Sequence, residues 1–162
     1  MGTNVAHAGA EIQTVEISIV LCDDSFIRDL NYEHRGLNKA TDVLSFPQDD
    51  FDEEHLAFMP GIDGGPRILG DVVISLETAD AQARAAGWDI ADEVDLLAIH
   101  GALHLLGYDD ETVEGAAEMR ERSAVVLSDL GISLPQGATH PYFIEYATPI
   151  AETAIRPDRP TS

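Results

Sequence analysis

Hydrophobic and polar residues alternate in the first regular segment of the chain, between residues 12 and 21. This period of two predicts a half-buried strand. Residues 41–46, which Pro47 terminates, and residues 68–76 are rich in β-branched and apolar side chains, and they predict two further strands that are partners in one sheet. The predicted core side of the first strand consists of Val15, Ile17, Ile19 and Leu21.

Apolar residues at helical spacing predict four helices. The first follows residues 23–25, which are of types that favour N-caps, and ends before Gly36. The third, over residues 93–106, is apolar on most sides, which predicts a buried central helix capped by Asp89 or Asp92. The other two are predicted over residues 77–86 and 112–130, with Gly87 and Gly131 at their ends.

The remaining segments lack a regular period. A chain of 162 residues with 44% hydrophobic residues fits one domain with an ordinary core. Residues 48–66 combine a run of acidic residues with glycine and proline, so they predict an exposed variable loop. Residues 132–162 are rich in proline and predict a C-terminal tail, with an ordered patch expected around residues 141–146.

Apolar runs and cysteine usage limit where the protein works and which metals it binds. No apolar run reaches the roughly 18–20 residues of a transmembrane helix. Residues 1–10 have neither the positive start nor the apolar core of a secretory signal, so we expect a cytoplasmic protein without a membrane partner. Cys22 is the single cysteine, which excludes an internal disulfide and a cysteine-rich zinc site. Nitrogen and oxygen must therefore bind any metal.

The charge of the chain is strongly acidic. The chain has 30 Asp and Glu against 9 Lys and Arg, a net charge of −21, and Lys39 is the single lysine. Taken alone, this charge argues against a nucleic-acid partner, because phosphate binding normally requires a basic surface. Adaptation to high salt is a second interpretation, and it predicts unfolding or loss of activity on dialysis to low salt.

The most informative stretch is His100-Gly-Ala-Leu-His104, followed by Gly107 and two carboxylates, Asp109 and Asp110. On a helix, residues four apart lie on one face, so both imidazoles can reach one cation. Gly107 is expected to end the helix in a left-handed turn that brings Asp109 or Asp110 back as a third ligand. The pattern predicts a metal site with an open position.

The ligand types favour zinc, because two imidazoles and a carboxylate without sulfur form a common zinc-binding set. Nickel, manganese or iron also fits these ligands. Zinc proteases place a glutamate directly after the first histidine as the general base. Here that residue is Gly101, which argues against a peptidase. A bound metal would still activate water or polarise a phosphoryl or carbonyl oxygen.

Four segments follow one another along the chain: residues 31–35 (NYEHR), 39–47 (KATDVLSFP), 70–75 (GDVVIS) and 100–109 (HGALHLLGYD). In sequence and in order, these segments resemble the motifs of the YbeY family of bacterial rRNA maturation factors. The resemblance covers roughly residues 15–130. We therefore divide the chain into an N-terminal extension (1–10), an endoribonuclease-like domain (11–131) and the C-terminal tail (132–162).

The resemblance implies an α+β fold in which a small mixed β-sheet packs against helices, with one zinc ion at the end of a central buried helix. It implies a metal-dependent, single-strand-specific endoribonuclease in 16S rRNA 3′-end maturation and ribosome quality control. The implied partners are rRNA and the small ribosomal subunit, with neither DNA nor a membrane. By matching positions, His100 and His104 are the first two zinc ligands, and Arg35 is the family's functional arginine, which binds substrate phosphate.

The third ligand position departs from the family, whose motif ends in Gly-Tyr-Asp-His where this chain has Asp110. A carboxylate oxygen binds zinc at about the distance of an imidazole nitrogen, and its charge makes the zinc a weaker Lewis acid. Alternatively, Asp110 caps the last helix and leaves a weak, two-histidine site. We expect Asp110 to be the third ligand.

Other functions stay open at this point. Attack by an activated water and attack by a 2′-hydroxyl both fit an RNA hydrolase. A hydrolase of amides or esters is one rival, and a ribosome-assembly binding factor with a structural metal and little nuclease activity is another. We expect Thr41, Asp42, Ser45 and Asp71 to be chiefly structural, and His7, His34, His55 and His140 to be surface residues.

Overall fold

A computed structural model of the protein describes residues 14–48 and 66–133 together with Tyr142. Within these ranges the chain forms three strands and four helices. In chain order they are β1 (Val15–Cys22), α1 (Asp24–Arg35), β2 (Val43–Pro47), β3 (Arg67–Ser75), α2 (Leu76–Ala86), α3 (Ile90–Leu105) and α4 (Val113–Asp129).

The strands form one mixed sheet in the order β1-β3-β2. The central strand, β3, pairs parallel with β1 and antiparallel with β2. Its residues are mostly buried on both faces, which explains why its sequence is apolar almost without interruption. The α+β class and the small mixed sheet are as predicted.

Helices cover both faces of the sheet. Alternate residues of β3 point to opposite faces, so Val73 meets α1 on one face, while Val72 and Ile74 meet α2 and α3 on the other. Burial of these side chains is the main source of stability, at about 1.5–3 kcal/mol for each large aliphatic residue. The first cluster is Ile27, Leu44 and Val73, and the second is Leu69, Val72, Ile74, Ala79, Leu97 and Leu105.

The predicted burial of β1 is wrong for most of its apolar side. Ile17 is half-buried, but Val15, Ile19 and Leu21 are 44%, 54% and 51% exposed. Both β1 and β2 are edge strands, but the described helices pack mainly against β2 and β3, and the two core clusters centre on those strands. Alternation in a sequence indicates an extended segment, whereas burial depends on what the fold brings against it.

Helix ends follow local chemistry closely, with one correction. Asp23 caps α1 by accepting a 2.8 Å hydrogen bond from the Phe26 amide, and Gly36 ends it in a left-handed conformation at φ 70°. The central helix α3 begins at Ile90, three residues before the predicted start at 93. Asp89 occupies its N-cap position without a side-chain capping bond, and Asp92 lies in the first turn.

Several predictions concern residues that lie outside the described ranges. The acidic loop is described only at Gln48 and Pro66, and the tail beyond residue 133 only at Tyr142. No helix in the described parts of the chain is long and apolar enough to cross a membrane.

Candidate metal centre

The two histidines lie on one face of α3, in its last turns. Their Nε2 atoms are 3.1 Å apart, and the two rings are nearly perpendicular, with centroids separated by 4.6 Å. The side chain of His100 is 14% exposed and that of His104 is 29% exposed. The predicted pairing of the imidazoles is therefore present, on a helix that the core holds in place.

A left-handed glycine brings the third group back to the histidines. Gly107 has φ 96°, and the Tyr108 amide donates a 3.1 Å hydrogen bond to the carbonyl of Leu103. The Gly107 amide likewise donates to the carbonyl of His104, so the helix ends in a Schellman motif. The turn reverses the chain and places Asp110 beside both imidazoles.

The ligand atoms converge on one point. Asp110 Oδ2 lies 3.6 Å from His100 Nε2, and Asp110 Oδ1 lies 3.8 Å from His104 Nε2. Zinc–ligand distances of about 2.0–2.1 Å in a tetrahedron correspond to ligand separations of about 3.3 Å. The three groups therefore fit one small divalent cation with little adjustment, and they leave a coordination position toward the cleft.

Hydrogen bonding and burial set the protonation of the imidazoles. The carbonyl oxygen of Tyr108, which can only accept, lies 3.0 Å from His104 Nδ1, so Nδ1 donates this hydrogen bond and Nε2 is the atom that faces His100 and Asp110. Burial, and secondly the neighbouring His104, lower the pKa of His100, although Asp110 and Asp42 act in the opposite direction. Two imidazoles facing a carboxylate form a donor set that suits a divalent cation.

Gly101 has a packing role that its position in the motif did not reveal. A Cβ at this residue would lie 2.5 Å from Val72 Cγ1 in the central strand and 3.1 Å from the Ser45 hydroxyl. That hydroxyl donates a 3.0 Å hydrogen bond to the Gly101 carbonyl. Close contact between α3 and the sheet therefore requires glycine directly after His100, and Ser45 has the structural role that was predicted.

Arg35 lies on the same cleft as the metal ligands. It is the last residue of α1, and its side chain lines a cavity of about 560 Å³ together with His100, His104 and Asp110. Among the residues that the structure describes, the Arg35 guanidinium has no ion pair or side-chain hydrogen bond. Its N–H groups are therefore turned toward a cleft rather than committed to a neighbouring carboxylate.

The acidic charge is not kept away from this cleft. Of the residues that the structure describes, four carboxylates line it, those of Asp42, Asp109, Asp110 and Glu111, against one guanidinium, that of Arg35. Two of them have structural partners, since Asp42 accepts from the Val43 amide at 2.8 Å and Asp109 from the Glu111 amide at 2.9 Å. Without a bound cation, the cleft would repel a polyanion.

The alternative in which Asp110 caps the last helix is wrong. Thr112 occupies the N-cap of α4, and its hydroxyl accepts a 3.0 Å hydrogen bond from the Gly115 amide. Asp110 is thus two residues before the cap and is 48% exposed beside the histidines. Of the two aspartates considered at the start, Asp110 is the one that joins the histidine pair.

Sequence reasoning missed a contact made from the tail. The Tyr142 hydroxyl lies 3.1 Å from His100 Nδ1 and 3.1 Å from the Ser123 hydroxyl, and its ring meets the His100 ring edge to face at 5.2 Å. A tyrosine in a proline-rich segment carries no spacing signal, because the contact spans 42 residues of chain. The expectation of an ordered patch around 141–146 was the nearest indication.

Comparison with known sequences identifies the family of the chain. The sequence profile of the family described as Endoribonuclease YbeY matches residues 3–131. The chain is 43% identical over 142 residues to Endoribonuclease YbeY of Beijerinckia indica, covering 87% of this chain and 64% of that protein. It is 43% identical over 117 residues to Endoribonuclease YbeY of Moorella thermoacetica, covering 72% of this chain and 74% of that protein. The solution structure of a Thermotoga maritima protein is 25% identical, covers 74% of this chain and 73% of its own, and superimposes with a TM-score of 0.44.

Proposed function

The chain belongs to the endoribonuclease YbeY family, and from this premise we propose that it is a metal-dependent endoribonuclease that cleaves single-stranded RNA. The observation that carries the proposal is the convergence of His100, His104 and Asp110 on one point beside Arg35. We further propose that its substrate is 16S rRNA near the 3′ end, within the small ribosomal subunit and in the cytoplasm.

His100, His104 and Asp110 would hold the metal, with zinc as the favoured ion. When bound, such an ion supplies Lewis-acid chemistry, by which a phosphoryl oxygen is polarised or a water molecule is activated. The side chains contribute a fixed geometry, since both histidines lie on a buried helix and Asp110 follows directly from its terminal turn. The carboxylate at position 110 makes the site more negative than three histidines would.

Arg35 would bind the phosphate group next to the scissile bond. A planar guanidinium can donate two parallel hydrogen bonds to phosphate oxygens, which both orients the group and offsets its charge. This contact acts at short range, so it works in a chain whose overall field is repulsive. Within the described part of the cleft lining, Arg35 is the one permanent cation.

The acidic cleft makes a bound cation necessary for RNA to approach. Three of the carboxylates that line it are outside the ligand set, at Asp42, Asp109 and Glu111. A divalent ion and Arg35 together offset this charge locally, at the point where the phosphate must bind. The net charge of −21 is therefore compatible with an RNA substrate when the site is loaded.

The test compares two arginines of the same helix. Arg35→Gln should reduce the cleavage rate of single-stranded RNA about 100-fold, because a preorganised donor to the reacting phosphate is lost. Zinc affinity should be unchanged. Arg28→Gln is the matched control, since Arg28 lies on α1 and is paired with Asp29 outside the cleft.

Two results would contradict the proposal. Equal cleavage by the two variants would remove Arg35 from the reaction. RNA binding by the zinc-loaded parent protein without any cleavage would favour the ribosome-assembly binding factor instead.

A further inference from the structure

Tyr142 connects the tail to the metal centre through a chain of hydrogen bonds. His100 Nδ1 lies 3.1 Å from the Tyr142 hydroxyl, which lies 3.1 Å from the Ser123 hydroxyl on α4. The Ser123 hydroxyl donates a 2.8 Å hydrogen bond to the carbonyl of Met119. Ser123 is fully buried and Tyr142 is half-buried, so these bonds are shielded from competing water.

The donor and acceptor in each of these hydrogen bonds follow from the bond between Ser123 and the Met119 carbonyl. Ser123 has one hydroxyl proton, and the Met119 carbonyl takes it, since a carbonyl can only accept. The Ser123 oxygen must then accept from the Tyr142 hydroxyl. Once that proton is committed, the Tyr142 oxygen is left to accept a hydrogen bond from His100 Nδ1–H.

This direction prepares His100 for a metal. With the proton on Nδ1, the lone pair is on Nε2, the atom that faces His104 and Asp110. Outer partners of this kind fix the tautomer and ring orientation of metal-binding histidines. The edge-to-face contact between the Tyr142 and His100 rings holds the orientation as well.

We propose that Tyr142 is a positioning residue that holds His100 in its metal-binding tautomer and orientation, with Ser123 and Met119 as its anchor. Tyr142 lies beyond residues 3–131, the part of the chain that the family profile matches. The inference rests on the metal site proposed above, and it means that a residue of the C-terminal tail helps to position a metal ligand.

The test is zinc affinity, measured by competition with a chelator, for Tyr142→Phe and Tyr32→Phe. Tyr142→Phe keeps the ring but removes the hydroxyl, and zinc affinity should fall about tenfold, within the range typical of lost outer partners. Tyr32→Phe is the matched control, because it removes a hydroxyl from a tyrosine that is 62% exposed on α1 and does not line the cleft. Its affinity should equal that of the parent protein.

A second readout reports on the bond itself. In the zinc-loaded, ¹⁵N-labelled parent protein, the His100 Nδ1–H resonance should be shifted downfield and protected from exchange with water. Tyr142→Phe should remove that shift and speed the exchange, whereas Tyr32→Phe should change neither. A merely structural role for Tyr142 would not affect this resonance selectively.

Two outcomes distinguish the inference from its premise. Parent-like zinc affinity and an unchanged His100 resonance in Tyr142→Phe would overturn the role of Tyr142 and leave the metal site standing. Failure of the parent protein to take up zinc at these histidines would overturn the metal site and the proposed function together.

Discussion

The two histidines of the metal centre share a helix but are held by different parts of the molecule. The outer nitrogen of His104 meets the carbonyl of Tyr108, four residues along the chain, whereas that of His100 meets the side chain of Tyr142. His104 is also the more exposed of the two, at 29% against 14%.

The difference teaches that one site is assembled from local and distant supports. The support of His104 is built into the turn that ends α3, so any sequence that forms this turn supplies it. The support of His100 exists only when a residue from outside the matched domain reaches the site. Substitutions can separate the two supports, because they involve different residues.

The largest loss of zinc affinity is expected at Asp110, the partner that the two histidines share. Asp110 lies near both Nε2 atoms, so Asp110→Ala should weaken zinc binding at least about 100-fold, more than any loss of an outer partner. Zinc competition with a chelator measures this directly. Asp109→Ala is the control, since Asp109 caps the adjacent turn by accepting from the Glu111 amide. Equal affinities in the two variants would exclude Asp110 from the ligand set.

An intermediate loss of zinc affinity is expected at Gly107, in the turn that holds the Tyr108 carbonyl against His104. Gly107 has φ 96°, so Gly107→Ala should lower the free energy of unfolding of the metal-free protein by about 1–2 kcal/mol and weaken zinc binding as the turn distorts. Gly87→Ala is the control, because Gly87 ends α2 at φ 74° away from the centre. Urea unfolding should show similar losses in both variants.

Zinc affinity is what should separate these two glycines. It should fall in Gly107→Ala and stay at the parental value in Gly87→Ala. The same affinity in both variants would show that the Schellman turn does not support the site. Gly107→Asn should be milder than Gly107→Ala, since asparagine tolerates the left-handed region.

The smallest loss of zinc affinity is expected at Ser123, which is connected to His100 through Tyr142. Ser123→Ala removes the acceptor of the Tyr142 hydroxyl but leaves that hydroxyl near His100, so zinc affinity should fall by about fivefold or less. Ser128→Ala, at an exposed position of the same helix, should have no effect on affinity. A loss in Ser123→Ala larger than that in Tyr142→Phe would contradict the proposed direction of the hydrogen bonds.

The parts that were predictable from sequence are those set by neighbouring residues. The caps at Asp23 and Gly36, the left-handed turn at Gly107 and the pairing of His100 with His104 all follow from short-range rules. They were predicted because each depends on about six consecutive residues or fewer, the range over which turn and helix rules act.

The parts that were missed depend on distant residues. Ile19 is exposed because the described helices pack mainly against β2 and β3 and not against β1, which alternation alone does not reveal. The need for glycine at 101 comes from the side chain of Val72, and the contact of Tyr142 with His100 spans 42 residues. Such contacts form only when distant segments of the chain pack together, so no local sequence pattern predicts them.

The central claim is that one divalent ion, held by His100, His104 and Asp110, is required for RNA cleavage. The most direct test is to titrate the metal-stripped protein with zinc while measuring cleavage of single-stranded RNA. We predict no cleavage before zinc is added and a plateau at about one zinc ion per chain. Full cleavage by the stripped protein, or none after loading, would contradict the account.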